Sequence, residues 1–572
     1  MRKSKKIIAL IISALICLSL LTACGGNDNP SGSASTESDS ASTANTSNTS
    51  SSSSNTNNNA DSGNTSANPA QAPGRTQAEE AAAPAAAPSG ETVRFAEEID
   101  IIIDNTPISH ANPFLGGSPA HSWTFNLIFD RLVYYAGDGI FIPSLATEWS
   151  TDDYITFIFK LREDVVFHNG AKFTADDVLF TIEYGQNPDT STQTVWRMIK
   201  EAKALDDYTV QIEINDMDVD FLFRLSRPNM AICSRKAITD DPVNGMTVGT
   251  GAFRLVEFVE NNYWIMERND DYFDEPAITR KITMRYIPEQ NNRTIMMLNG
   301  ESQICLKINP DDMDLFVGNP DFWIDDHVVN NPTCIHFNMT DPITGDLNFR
   351  MAVAHAIDKY DIAMVAGGEY YFADYETSGV YGYSTEFRNM DLPPILHDVE
   401  KAKEYLAKST YNGEVVEICT TSLISTLRAS EIIQQQLKEV GIESEIYQIE
   451  SIAMNEYTAY GNNQSQMVLN VFSFSASSSS YRACLLPNSA QNRASYDNPL
   501  VVEMLDRAAA TIDYDERGAI IKEIQAIVRE ELPVVNMWYL LQTVACVQGI
   551  GGFNFPGDNL YDFRYLYWQI EG

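Results

Sequence analysis

Positive charge is what this chain has least of. Lysine and arginine number 39 against 78 aspartates and glutamates, a formal net charge of -39 over 572 residues. No cationic surplus is available to meet a phosphate backbone, which excludes nucleic acid as a partner. The plain consequence of such acidity is solubility; an acid-rich cleft that draws in cations is the alternative. Cysteine is sparse and scattered, with eight residues and no Cys-x-x-Cys pair, so no zinc site is indicated. The seven histidines show neither His-x-x-x-His nor His-Glu-x-x-His spacing. Of these, His110, His121 and His168 fall in or near loops. No Gly-x-Ser-x-Gly elbow, Walker loop or strand-linked Gly-x-Gly-x-x-Gly occurs. Paired acids such as Asp176 and Asp177 are explained by a helix N-terminus. Nothing in this inventory argues for catalysis, a metal or a cofactor.

Long apolar runs are confined to the N-terminus. Arg2, Lys3, Lys5 and Lys6 precede an apolar stretch from Ile7 to Leu21, too short for a comfortable membrane span. It ends in Leu21-Thr-Ala-Cys24 before two glycines, which resembles a bacterial lipobox, with Cys24 as the lipidated residue. Residues 1–24 therefore read as a lipoprotein signal peptide. An ordinary signal peptide with an incidental cysteine is the alternative. Residues 25–90 are Ser, Thr, Asn, Ala and Pro with almost no large apolar side chain, a composition that cannot repay ordering entropy. As a disordered tether they would reach on the order of 40–50 Å. Cys233, Cys305, Cys334, Cys419, Cys484 and Cys546 remain, and buried thiols are expected there rather than disulfides.

Chemistry-bearing order begins between Leu127 and Tyr184. Thr156–Arg162 alternates, with Phe157, Phe159 and Leu161 on one face, which predicts a half-buried strand. His168-Asn-Gly170 supplies a turn, and Thr174 with Asp177 a capping box for a helix bearing Ala175, Val178, Leu179 and Ile182. Further strands are predicted at Glu98–Ile103, Tyr208–Ile214, Ile442–Ile449 and Val534–Leu541. Helices are predicted at Ser122–Leu132, Phe349–Asp358, from Asp398, at Ala429–Val440 with Gly441 as its stop, and at Asp513–Glu530.

The ordered set Pro-Ser-Leu-Ala-x-x-Trp, Phe-x-Leu-Arg, Val-x-Phe-His-x-Gly and Thr-Ala-x-Asp-Val-x-Phe resembles the signature of the family 5 extracellular solute-binding proteins. Gly249-Thr-Gly-Ala-Phe253, Arg268-Asn-Asp-Asp-Tyr-Phe273 and Arg350-Met-Ala-Val-Ala-His-Ala-Ile-Asp358 extend the resemblance to the whole region from Glu91 onward. Ala252 stands where the family usually has Pro, and Gln303 where it usually has Asp. The resemblance implies an α/β, periplasmic-binding-protein-like fold (type II, cluster C), with two lobes, a hinge and an inserted smaller domain. Lobe I would comprise 91–135, 247–332 and 536–572, the inserted domain 136–246 and lobe III 333–535. It implies a membrane-anchored, extracytoplasmic receptor that captures a solute, an oligopeptide first, and delivers it to an ABC permease and its ATPase. An oligosaccharide, a metal chelate, a surface sensor or pheromone receptor, and an extracytoplasmic enzyme are the competing readings.

Ligand contacts are expected from two stretches. In peptide-binding relatives the stretch corresponding to Leu469–Cys484 holds a Trp and an Asp-rich run, one Asp pairing with the peptide amine. Here serines fill that run, and Arg482 is the only charged side chain between Phe472 and Leu486. Phe472, Phe474, Tyr481 and Arg482 are the candidates there. Trp538 and Tyr539 on the late strand, with Phe114 and Trp123 near the start, complete the set. The missing carboxylate leaves two options: an acid elsewhere holds the amine, or the ligand has none. A flexible loop for the serine run and core packing for one of the late rings are the structural alternatives.

Overall fold

The structure is a computed structural model that describes residues 87–89, 93–103, 108–116, 119–137, 139–190, 192–368, 372–373, 387–472, 474, 478–553 and 560–570. The signal segment, Cys24 and the tether up to residue 86 lie outside the described residues.

Two long strands, Phe322–Phe337 and Val534–Val547, pair antiparallel over most of their length. One end of the pair joins Ile304–Leu306, Glu98–Ile103, Lys281–Tyr286, Tyr263–Arg268 and Phe253–Val259; the other joins Met467–Val471, Val416–Thr421 and Ser444–Ile449. Register slips where the two ends meet, between Val328 and Pro332 and again between Thr333 and Cys334. Pro332 has no N–H for the ladder, so an irregularity there is what its chemistry requires. The helices Leu347–Ala356, Ile424–Val440 and Tyr514–Glu531 cover the second half. Asp398 and Asp513 cap their helices through their side chains, and Gly441 closes Ile424–Val440 in the left-handed region at φ 97°.

A separate antiparallel sheet, in the order Ala146–Ser150, Thr156–Leu161, Thr209–Ile214, Ile199–Asp206, carries its own core of Trp149, Phe157, Phe159, Val210 and Ile212. The period-two reading of Thr156–Leu161 is met residue for residue, with Phe157, Phe159 and Leu161 buried. Asp177 Oδ2 accepts from Thr174 N at 3.1 Å, as a capping box requires, while its Oδ1 accepts from Arg235 N and so ties in the next helix. Several boundaries differ from the sequence expectation, as in Leu347–Ala356, Ile424–Val440, Ser444–Ile449 and Val534–Val547, and the early helix runs Pro119–Ile128, not Ser122–Leu132. Proline suits the first helical turn, and Leu132 is drawn instead into the core of the separate sheet.

The helix stops because Asp130 and Arg131 enter a buried polar network. Asp130 accepts from the hydroxyls of Tyr134 (2.8 Å), Thr250 (2.9 Å) and Tyr272 (3.2 Å). The guanidinium groups of Arg131 and Arg564 lie 3.9 and 4.3 Å from the Tyr134 ring centroid, and Arg564 pairs with Asp562. The Arg564 guanidinium holds the Asp562 carboxyl below its ordinary range despite burial. Thus the C-terminal segment is fastened to the base of the inserted sheet by charge.

His168 and the Gly249–Gly251 segment, far apart in sequence, meet here. His168 Nδ1 accepts from Gly249 N at 3.3 Å and its Nε2 donates to the Gly251 carbonyl at 3.0 Å. Both contacts require a neutral ring, and burial pulls its pKa to about 4, with the Arg254 charge acting in the same direction. A Cβ on Gly251 would lie 2.4 Å from the Leu127 carbonyl oxygen, so close backbone packing is what these glycines serve.

Two outcomes are expected. Gly251→Ala forces apart two backbones and should cost about 1–3 kcal/mol, read as a lower urea midpoint. Burial also lowers the pKa of His121 to about 4 and of His336 to about 3. A histidine whose folded pKa lies below its unfolded value near 6.5 binds its proton preferentially in the unfolded chain. Its stabilisation is therefore complete above pH ~6.5 and lost as pH falls towards about 4. His168→Gln should be less stable than the parent at pH 7.5, yet lose less between pH 7 and 4.5; parallel urea curves for both proteins would refute this.

Candidate functional site

Helix Phe221–Leu225 is the element around which the cleft is built. Its sequence, Phe-Leu-Phe-Arg-Leu, buries Phe221, Leu222, Phe223 and Leu225 in or against the inserted core and leaves Arg224 at the surface. Asp218 Oδ1 accepts from Asp220 N and its Oδ2 accepts from Arg224 Nε at 2.7 Å, fixing the approach to the helix. Pro228 then opens a 3-10 turn, Pro228–Met230, and Arg227 stands between the two elements.

The opposing wall comes from the serine run. Among its described residues, Ser478 precedes a helix, Ser479–Leu485, where a flexible loop was the structural alternative to cleft lining. Tyr481, Cys484 and Leu485 anchor it in a core shared with Phe472 and Phe474. Its start reaches across to the residue before helix Phe221–Leu225: Ser478 Oγ and Ser479 N both donate to Asp220 Oδ2, at 2.9 and 3.0 Å. Asp220 is buried at this point. The acid absent from the serine run is thus met by an acid from the other side of the cleft.

Three cavities surround this clasp. The first, about 370 Å³, is bounded by Asp216, Asp218, Asp220, Arg197 and Arg224, with Ser478, Ser479 and Arg482 opposite. A second, about 310 Å³, is bounded by His121, Phe125, Phe223, Arg224, Arg227 and Asn229, with Ser479 opposite. A narrow one, about 30 Å³, lies between Tyr135, Phe223, Phe387, Tyr514 and Arg517. The two larger ones fall within the lower range of small-molecule sites, ~300–1,000 Å³. The first carries acids and arginines without an aromatic ring, and the second carries arginines beside Phe125 and Phe223 without an acid; Arg224 and Ser479 border both, so that together they suit a polar solute with an apolar part. His121, which lines the second cavity, stacks on His110 behind it with ring centroids 4.3 Å apart, and burial lowers the pKa of both.

Of the eight contacts expected from sequence, Arg482 lines the first cavity and forms an ion pair with Asp506 at 2.8 Å. The seven rings line none of these three cavities. Phe114 and Trp123 pack in the core of the first sheet region, and Phe472, Phe474 and Tyr481 beneath the serine helix. Trp538 and Tyr539 are both buried. Adjacent strand residues point to opposite faces: Trp538 packs in the core of the second half of the sheet, and Tyr539 Oη accepts from Asn536 Nδ2 at 3.1 Å. Of the residues that line the cavities, the serines belong to a stretch expected from sequence to line the cleft, whereas Asp220, Arg224 and Arg227 were not among the expected contacts. One signal was present: two arginines within Phe221–Pro228 interrupt an otherwise apolar run.

Comparison with known proteins establishes the family and the fold. Residues 141–492 match the model of the bacterial extracellular solute-binding proteins, family 5. The chain belongs to that family, whose members serve ABC importers by binding their solutes. It is 26% identical over 491 residues to the nickel-binding periplasmic protein of Escherichia coli, covering 77% of this chain and 88% of the relative. It is 26% identical over 441 residues to the glutathione-binding protein GsiB of Pectobacterium atrosepticum, covering 72% and 83%. Among solved structures, the substrate-binding protein CtaP of Listeria monocytogenes superposes with a TM-score of 0.74 at 21% identity, covering 83% of this chain and all of that one. The Helicobacter pylori DppA in complex with the peptide STSA gives 0.68 at 23%, covering 83% and 99%. These neighbours share the type II periplasmic-binding fold expected from the sequence.

The clasp yields a measurable quantity. Removing the Asp220 carboxylate leaves Ser478 Oγ and Ser479 N without their acceptor, a loss of about 1–3 kcal/mol for groups sealed from water. Asp220→Ala and Ser478→Ala should be non-additive, with a coupling of about 0.5–3 kcal/mol in a double-mutant cycle of urea unfolding. Simple additivity would mean that the contact contributes nothing in solution.

Proposed function

We propose that this protein is the substrate-binding lipoprotein of an ABC importer, held at the extracytoplasmic face by Cys24 and capturing a short peptide in the cleft around Phe221–Leu225. The observation that carries the ligand class is the lining of the two larger cavities, acids and arginines within one cleft beside Phe125 and Phe223. A zwitterionic chain with apolar side chains is complementary to such a surface. Asp216, Asp218 and Asp220 bound the larger cavity opposite the serine run, where an amine would otherwise lack a carboxylate. Peptides occupy several solved neighbours of the fold, including one with STSA and one with Met-Leu. The role is binding, not turnover.

The proposed lobes are 91–135, 247–332 and 536–572 for the first, 333–535 for the other, and 136–246 for the inserted domain. The register slips at Val328–Cys334 in the shared strand pair support a hinge there. Capture then closes the cleft and engages Asp220 with Ser478 and Ser479. A metal chelate is the second reading, favoured by the imidazole of His121 at the wall of the second cavity, with that of His110 stacked on it.

Calorimetry with a free tripeptide, its N-acetylated twin and a nickel–histidine complex separates these readings. Peptide capture at the acid-lined cavity requires saturable binding of the free tripeptide and a large loss on acetylation. Binding of the nickel complex alone would replace the peptide reading with the second. For the anchor, Cys24→Ala should release the protein from membranes or leave it unprocessed, whereas an unlipidated mature N-terminus elsewhere, seen by mass spectrometry, overturns it.

A further inference from the structure

We infer that Arg224 is the specificity-determining residue for the main chain of the solute: its guanidinium takes a peptide carbonyl of a chain that runs from the first cavity into the second. The inference rests on the cleft being where a peptide binds, and it adds which way that peptide lies. Arg224 and Ser479 are the residues that border both larger cavities, so a solute filling both passes between them. Phe221, Leu222, Phe223 and Leu225 root the short helix in the core, and Arg224 is the one side chain of that helix not buried. Its Nε donates to Asp218 Oδ2 at 2.7 Å, which fixes the direction of the guanidinium. Facing it, the backbone of Ser479 is held by Asp220 at 3.0 Å.

A guanidinium carries several N–H donors in a planar fork, and the bond to Asp218 uses one. The Nη1 and Nη2 groups of Arg224 make no hydrogen bond to a described residue. Because Asp218 balances the charge, the solute need not supply an anion. A neutral acceptor suffices, and a donor on a charged group binds it more strongly than a neutral donor would. These N–H groups give up water when a solute covers them, and a covered donor left unanswered is costly. A peptide carbonyl answers it. The two cavities set the direction of the chain. Acids border only the first: Asp218 is taken by Arg224, and Asp220 accepts from Ser478 and Ser479. Asp216 is left for the amine, exposed and with its carboxylate bonded to no described residue. Phenyl rings border only the second, as Phe125 and Phe223. The amine therefore lies at Asp216, the second side chain lies against the two rings, and the carbonyl between them comes to Arg224.

Calorimetry tests this on the parent, on Arg224→Lys and on the double variant Asp218→Asn with Arg224→Met. The probes are Ala-Phe-Ala, its N-acetyl derivative, and the analogue whose first peptide bond is a trans-alkene, extended like the parent peptide but without the carbonyl. The alkene should weaken binding about tenfold or more on the parent, the worth of one charge-assisted hydrogen bond. That penalty should vanish in the double variant, which removes the pair without leaving a lone carboxylate. It should shrink in Arg224→Lys, whose ammonium holds Asp218 but lacks the fork. Acetylation should cost the same in all three proteins; a cost that disappears in the double variant would put the amine at Asp218 and overturn the inference. Equal affinity of peptide and alkene for the parent overturns it, as does an undiminished gap in the double variant. Should the double variant fail to fold, Arg224→Lys decides, since an undiminished gap there overturns it equally. Each of these outcomes leaves peptide capture standing, whereas a parent that binds no tripeptide overturns the peptide reading and this inference together.

Discussion

The antiparallel pairing of Phe322–Phe337 with Val534–Val547 is the interaction on which the rest of the molecule depends. These two segments lie some two hundred residues apart in sequence, and the strands of both halves of the large sheet are added outward from them. Long-range pairing of this kind forms late, after a large loop-closure cost. Once formed, it fixes the orientation of everything attached to either end. Its register slips around Pro332 show that one uniform ladder cannot serve both halves. The sheet is continuous, yet its mechanical weak point is written into the backbone where proline removes a hydrogen bond.

Around that frame, polar groups serve two separate purposes. The cluster of Asp130, Arg131, Tyr134, Asp562 and Arg564 is internal and closed; it joins the last residues of the chain to the base of the inserted sheet. The groups bordering the cleft face one another across open space. Asp220 takes two donors from the facing wall, while Arg224 and Arg227 border a cavity. Proximity between the closed cluster and the open one matters, because Arg131 acts electrostatically on Arg227. The charge of Arg131 is therefore felt at the wall of that cavity.

Much of the fold was legible in residue order. Alternation in Thr156–Leu161, the Asp398 and Asp513 caps and the Gly441 stop are local signals, and each element formed where its chemistry demanded. The signature residues were also informative, although His168 and the Gly249–Gly251 segment proved to hold each other rather than a ligand. The cleft was far less legible. Aromatic rings attract attention in a sequence, yet a ring on a strand covered on both faces is buried whichever way it points, as Trp538 and Tyr539 are. The residues that do border the cleft belong to Phe221–Pro228 and to a serine helix more than 250 positions later. Only tertiary pairing brings Asp220 to Ser478, and no local periodicity encodes it.

Six cysteines lie inside the described structure at Cys233, Cys305, Cys334, Cys419, Cys484 and Cys546, all buried and none in a disulfide. Burial raises the thiol pKa of Cys419 and Cys484 to about 12, and pushes those of Cys233, Cys334 and Cys546 up as well. Thiolate is the reactive form, so the folded interior is silent towards maleimide and iodoacetamide reagents. Among the described cysteines none then competes for a fluorophore or spin label attached to a cysteine introduced on either rim of the cleft.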